Sequence, residues 1–251
     1  MRHLESIADC RAWCRAEPEA ALGFVPTMGA LHDGHLSLVQ QSLASCDRTL
    51  VSIFVNPAQF DDPNDLEKYP HTLASDLATL REAGADAVFL PGAEALYPDG
   101  YRLRVSESEI SRLLCGAHRA GHFDGVLTVV LKLFNIVMPS QAFFGEKDFQ
   151  QLQLIRELVR AFHLPIDIVA VPTVREADGL AMSSRNARLS ESARAQAPRL
   201  HELLASEHDC ATVRQELENA GFVVDYVEEH WGRRLAAVHL EDVRLIDNVE
   251  R

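Results

Sequence analysis

From Leu22 to Val171, short runs rich in β-branched, aromatic and leucine residues alternate with longer stretches of helical pattern, and this constrains the fold most. The pattern predicts strands at Leu22–Pro26, Thr49–Val55, Asp86–Leu90, Gln141–Gly145 and Ile166–Val171. Helices are expected between them, from about Gly34 to Ser45, over roughly Thr72–Ala83, over Gly125–Val137 where Pro139 ends it, and over Phe149–Phe162. Strands separated by helices of this length imply a parallel sheet covered on both faces, a Rossmann-like doubly wound α/β fold. Ligands of such sheets bind beyond the carboxyl ends of the strands. After Arg188 the pattern changes. Two helical stretches, about Glu191–Ser206 and Cys210–Ala220, precede β-like runs at Phe222–Val227 and Leu235–Leu240. A large domain over residues 1–188 and a small C-terminal α+β domain over 189–251 are expected.

Charge narrows the partners. Asp plus Glu number 37 against 24 for Lys plus Arg, a formal charge of -13. A field of that sign repels phosphate backbones, which argues against nucleic acid as the main partner. A polyphosphate ligand would need a local pocket of donors set against it. No apolar run approaches the length of a membrane span. The five cysteines, Cys10, Cys14, Cys46, Cys115 and Cys210, are odd in number and form no CxxC pair. A disulfide framework or zinc site is not expected, and a cytoplasmic location fits.

Four segments carry chemistry. Met28-Gly29-Ala30-Leu31-His32-Asp33-Gly34-His35 follows the first predicted strand. Both imidazoles can sit at a helix N-terminus, where free N–H groups and the dipole already favour an anion. Alone, such a run is more simply an ordinary strand-to-helix turn with two surface histidines; its place at the first strand-to-helix junction favours function. Met182-Ser183-Ser184-Arg185 offers two hydroxyls and a guanidinium that can wrap terminal phosphates. Gly145-Glu146-Lys147-Asp148 joins a strand end to a helix and supplies a point charge, with Gln151 one turn later. By itself it is equally a capped helix start, and its position at a strand's carboxyl end favours function. Asn56 and Gln59, after the second predicted strand, are neutral amides suited to a small polar acid, although Asn56-Pro57 is also a common turn.

Together the runs PTMGALHDGH, VSIFVNPAQF, YPHTL, GHFDGVLTVV, FFGEKDFQQL and VPTVREADGLAMSSRN resemble the pantothenate synthetase family of the HIGH/KMSKS nucleotidyltransferase superfamily, over roughly Leu22 to Ser190. That resemblance implies condensation of pantoate with β-alanine, using ATP and magnesium, through a pantoyl-adenylate, and it implies a homodimer. Carried over by motif, Met28 through His35, Gly145 through Asp148, Val174 and Met182 through Arg185 would bind ATP. His35, His32 and Lys147 would be catalytic, and Gln59, Gln151, Asn56 and His122 would bind pantoate or β-alanine. Ala120 stands where the family often has proline. The family's second domain usually runs longer than the stretch after Ser190 here, which leaves the lid's contacts open. The C-terminal domain and the Asp61–Tyr69 loop are the expected covers.

Two rivals remain at this level. A nucleotidyltransferase of the same superfamily would share the histidine loop but has no reason to carry the Gln59 and Gln151 pair. A catalytically silent nucleotide- or RNA-binding module fits poorly with the acidic balance and the intact His32, His35, Lys147 and Arg185 set.

Overall fold

The computed structural model describes residues Met1 to Arg251. Nine strands form two sheets: β1 (Arg2–Leu4), β2 (Leu22–Thr27), β3 (Arg48–Ile53), β4 (Ala87–Phe89), β5 (Gln141–Gly145) and β6 (Asp167–Val171), then β7 (Val223–His230), β8 (Arg233–Leu240) and β9 (Val243–Glu250). The helices of the first part are α1 (Ile7–Arg15), α2 (Asp33–Ser45), α3 (Pro63–Glu67), α4 (Leu73–Ala83), α5 (Ala93–Leu96), α6 (Leu114–His118), α7 (His122–Val137) and α8 (Phe149–Ala161). The last part adds α9 (Glu191–Gln196), α10 (Arg199–Ala205) and α11 (Cys210–Asn219).

The first sheet is parallel throughout, in the order β1-β4-β3-β2-β5-β6. The chain winds outward from β2 through β3 and β4, then returns to place β5 on the other side of β2. Strand order therefore reverses between β2 and β5, and a crevice opens beyond their carboxyl ends. The expected doubly wound architecture is borne out.

Alternation within the strands explains the two covered faces. Phe24, Leu50, Phe89, Ala142 and Phe144 turn one way, onto Leu127, Leu133 and Phe134 of α7 and Leu152 and Ile155 of α8. Their neighbours Val25, Val51, Val88 and Phe143 turn the other way, onto Leu38 and Val39 of α2 and Leu80 of α4. Each fully buried Val, Leu, Ile or Phe among them contributes about 1.5–3 kcal/mol. α7 is apolar on nearly all sides because it lies in the larger core.

Three local readings are corrected. The strand β1 and helix α1 were not anticipated; a three-residue strand is too short to show an alternation. α7 begins at His122, where Gly121 sits in the left-handed region (φ 76°), and not at Gly125. The stretch Glu191–Ser206 is two helices, α9 and α10, separated at Ala197 and Pro198, because proline has no N–H to continue the ladder.

The second sheet is an antiparallel meander, β7-β8-β9, whose core of Val227, Ala236, Val238 and Leu245 packs on Leu200, Leu203, Leu204, Val213 and Leu217. Its other face reaches the larger core through Tyr226, Leu235 and Ala237. The side-chain amide of Asn248 on β9 donates to the carbonyl oxygens of Glu146 and Lys147 at 2.9 and 3.1 Å. The last strand thus holds the turn after β5.

Candidate active site

Beyond β2 and β5 lies a cavity of about 250 Å³. Its wall brings together Met28, His32, Gly34, His35, Asn56, Gln59, His122, Gly145, Lys147, Asp148, Gln151, Val174, Met182, Ser183, Ser184 and Arg185. Segments more than a hundred residues apart in the chain converge there. Gly29, Ala30, Leu31, Asp33 and Glu146 do not line it. Ala30 and Leu31 instead give their backbone N–H groups to Oδ2 and Oδ1 of buried Asp76, each at 2.9 Å. The Glu146 carboxylate is taken by Nη2 of Arg233 at 2.9 Å.

The histidine loop is built by its own backbone. His32 caps α2: its Nδ1 accepts the N–H of Gly34 at 3.1 Å, and Nδ1 of His35 accepts the N–H of His32 at 3.3 Å. Both Nδ1 atoms are acceptors, so both protons sit on Nε2. Gly34 is required by contact: a Cβ there would stand 2.8 Å from Cε1 of His32. Burial, followed by the neighbouring His32, pushes the His35 pKa down to about 3. Burial, then Lys147, lowers that of His32 as well. At neutral pH both rings are uncharged donors. The cationic charge of the cavity comes from Lys147 and the arginines.

At the amide end, Asn56 is 1% exposed and fully engaged. Its Nδ2 donates to Oε1 of Gln59 and to the carbonyl of Gly125, both at 3.1 Å, and its Oδ1 accepts from the Tyr97 hydroxyl at 2.8 Å. Asn56 therefore aims Gln59, whose Nε2 rests 3.0 Å from Sδ of Met28. Gly125 permits this packing, since a Cβ there would lie 2.2 Å from the carbonyl oxygen of Ala58. His122 also borders the cavity with both nitrogens committed. Its Nδ1 lies 2.7 Å from the Gln59 carbonyl oxygen and its Nε2 3.1 Å from Nη1 of Arg119. An arginine can only donate, so Nε2 accepts and Nδ1 carries the proton to the carbonyl. Burial, then Arg119, pushes its pKa down to about 3.

The Met182–Arg185 turn is shaped by Asn186, whose Nδ2 donates to Oε1 of Glu176 at 2.9 Å and to the Ala181 carbonyl at 3.1 Å. Behind it Arg175 grips Asp247 with two bonds of 2.7 and 2.9 Å. Burial alone would raise the Asp247 carboxyl, but His201 and Arg175 hold it below the usual range. Residues that sequence reasoning missed are Asp65, Asp76, Arg119, Asn186 and Asn248. Each is a polar side chain in an unremarkable local context whose partner lies elsewhere in the chain, apart from the local role of Asn186. No group of three or more His, Cys, Asp or Glu side chains is arranged to hold a metal ion.

A crevice at the switch point of a doubly wound sheet, with cations and neutral donors on one part of its wall and amides on another, defines an α/β enzyme acting on a small charged substrate. The model of the pantoate-beta-alanine ligase family matches residues 2–250. The pantothenate synthetase of Bdellovibrio bacteriovorus is 52% identical over 98% of both chains, so its C-terminal part is about as short. The crystal structure of pantothenate synthetase from Thermus thermophilus is 42% identical, covers 100% of this chain and 99% of that one, and superposes with a TM-score of 0.91. The pantoate-beta-alanine ligase of Francisella tularensis, solved in complex with beta-gamma ATP and beta-alanine, is 38% identical with a TM-score of 0.95, covering 100% and 97%. The chain belongs to the pantoate-beta-alanine ligase family and is a ligase.

Proposed function

We propose that this cavity binds ATP, pantoate and β-alanine and joins the two acids in two steps. In the first, a pantoate carboxylate oxygen attacks the α-phosphorus of ATP, the bond to the β-phosphate oxygen breaks, and pyrophosphate leaves with the electron pair. The carboxylate is already ionised at neutral pH, its reference pKa being roughly 4, so no base is needed. The residues must position reactants and stabilise charge. The Nε2–H groups of His35 and His32 suit the α-phosphoryl oxygens, and Lys147, Ser183, Ser184 and Arg185 suit the departing pyrophosphate. In the second step the neutral amine of β-alanine attacks the adenylate carbonyl, a C–N bond forms, and AMP leaves with the former carboxylate oxygen. The amine proton passes to the departing phosphate or to water.

Gln59 and Gln151 hold pantoate in this reading, with Gln59 also facing β-alanine. Asn56 and His122 act through Gln59. Gly29 to Leu31, Asp33 and Glu146 contribute by backbone and shape. Magnesium enters as part of the nucleotide substrate, held mainly by phosphate and water oxygens, as small hard cations commonly are. The division at residues 188/189, with the later part serving as a lid, is supported by the second core around Leu200, Leu204 and Val213. We read the enzyme as a cytoplasmic homodimer. No helix is long and apolar enough to cross a membrane.

One observation carries the proposal: both imidazoles turn Nδ1 onto backbone amides in the wall that also holds Lys147 and Arg185. Following AMP formation with ATP, pantoate and β-alanine, each omitted in turn, tests it. AMP should appear at full rate only with all three. AMP formation indifferent to pantoate would defeat it.

A further inference from the structure

Asp65, in the short helix α3, shares one carboxylate between two guanidiniums. Its Oδ2 accepts from Nη2 of Arg185 at 2.7 Å, and its Oδ1 from Nε of Arg185 at 3.4 Å and from Nη1 of Arg188 at 2.6 Å. The two arginines share one space and differ in the other. Arg185 lines both the main cavity and a second, smaller polar pocket beside it, whereas Arg188 lines only the second. Arg188 also reaches the carbonyl of Asp242, between β8 and β9, with Nη2 at 3.3 Å, and Lys68 Nζ sits 2.7 Å from the Asp242 carboxylate. At the start of the same segment, Asp61 Oδ1 accepts from Nε of Arg119 at 2.9 Å.

We propose that Asp65 is a positioning residue that holds Arg185 in place of a phosphate and hands it over when the triphosphate arrives, while keeping Arg188. This rests on the reading above that Arg185 meets the phosphates of ATP. A carboxylate and a phosphate both offer the paired oxygens that match a guanidinium fork, so one can stand in for the other. An unpaired arginine in this half-buried wall would be poorly solvated, and Asp65 prevents that before substrate binds. Release is made easier because Arg188 still neutralises the carboxylate afterwards. Through Arg188 and Asp242 the Asp61–Tyr69 segment stays fastened to the C-terminal sheet during the exchange.

The test is a double-mutant cycle read as the dissociation constant of a non-hydrolysable ATP analogue, measured by calorimetry on the full chain. Asp65→Asn removes the competitor and should tighten binding. Arg188→Gln leaves Asp65 dependent on Arg185 alone and should weaken it. With Asp65→Asn already present, Arg188→Gln should have little effect, a departure from additivity of about threefold or more. Asp65→Glu, which keeps the charge, should bind as wild type, and Asp65→Ala, which also removes the competing carboxylate, should tighten binding and stands in should Asp65→Asn fail to fold. Additive effects would reduce the pair to general electrostatics and overturn the hand-over, as would unchanged binding in Asp65→Asn. A wild-type chain that binds no nucleotide would sink the proposed function and this inference together, whereas tight wild-type binding with additive variants sinks the inference alone.

Discussion

The backbone N–H of His32 donates to Nδ1 of His35 at 3.3 Å, and the two rings lie 4.1 Å apart between centroids. One short stretch of chain therefore fixes the tautomer of both imidazoles before any substrate binds. Neither ring has to be charged to act, because a preorganised N–H donor stabilises developing charge without a proton transfer.

His35→Ala should lower turnover by about 10²–10³, the usual cost of losing one transition-state donor. The KM values should move much less, since the contact strengthens in the transition state. Steady-state kinetics on a variant shown to be folded decide this, and native-like turnover would remove His35 from the mechanism.

The same burial makes stability sensitive to acid. His35 and His122 have native values of about 3 against 6.5 in an exposed ring. Below about pH 6.5 an unfolded chain takes up protons that the folded chain refuses, so stability is full above that value and declines as the pH falls toward 3. Each pH unit costs up to about 1.4 kcal/mol per histidine. Melting temperatures from pH 7 to pH 5 should fall, and fall less steeply in His122→Gln. Parallel curves for the two proteins would show that His122 is not held neutral.

Asn56→Ala strips partners from the Tyr97 hydroxyl, the Gly125 carbonyl and the Gln59 amide together. Leaving buried polar groups unpaired should lower stability by about 1–3 kcal/mol. Urea unfolding measures it. A midpoint equal to wild type would mean that Asn56 is not the support of this wall.

Gln59→Ala should raise the KM for pantoate well above that for ATP. An unchanged pantoate KM would show that the amide end of the cavity receives something else.

Much of this architecture could be read along the chain. The alternation from Leu22 to Val171 specifies a parallel sheet because runs such as Thr49–Val55 are apolar on both faces, which only a sheet covered on both sides accommodates. The cavity-lining loops were legible because His32, His35, Lys147 and Arg185 are chemically conspicuous at strand ends. Asp65 and Asp76 were not. Asp76 lies 46 residues from Ala30, and Asp65 lies 120 residues from Arg185. An acid on a short surface helix looks the same whether it faces water or a guanidinium, and only tertiary packing distinguishes the two. The engagement of Asn56 and His122 was hidden for the same reason: residue type for Asn56 and the family resemblance for His122 pointed to the cavity, but neither could show that they also bond Tyr97, Gly125 and Arg119.

The most direct trial of the two-step account follows one oxygen atom. Pantoate labelled with heavy oxygen in its carboxylate, incubated with enzyme, ATP and β-alanine, should deliver one labelled oxygen to the phosphate of AMP for each amide formed. Label found in inorganic phosphate, or AMP free of label, would contradict an adenylate formed in this cavity.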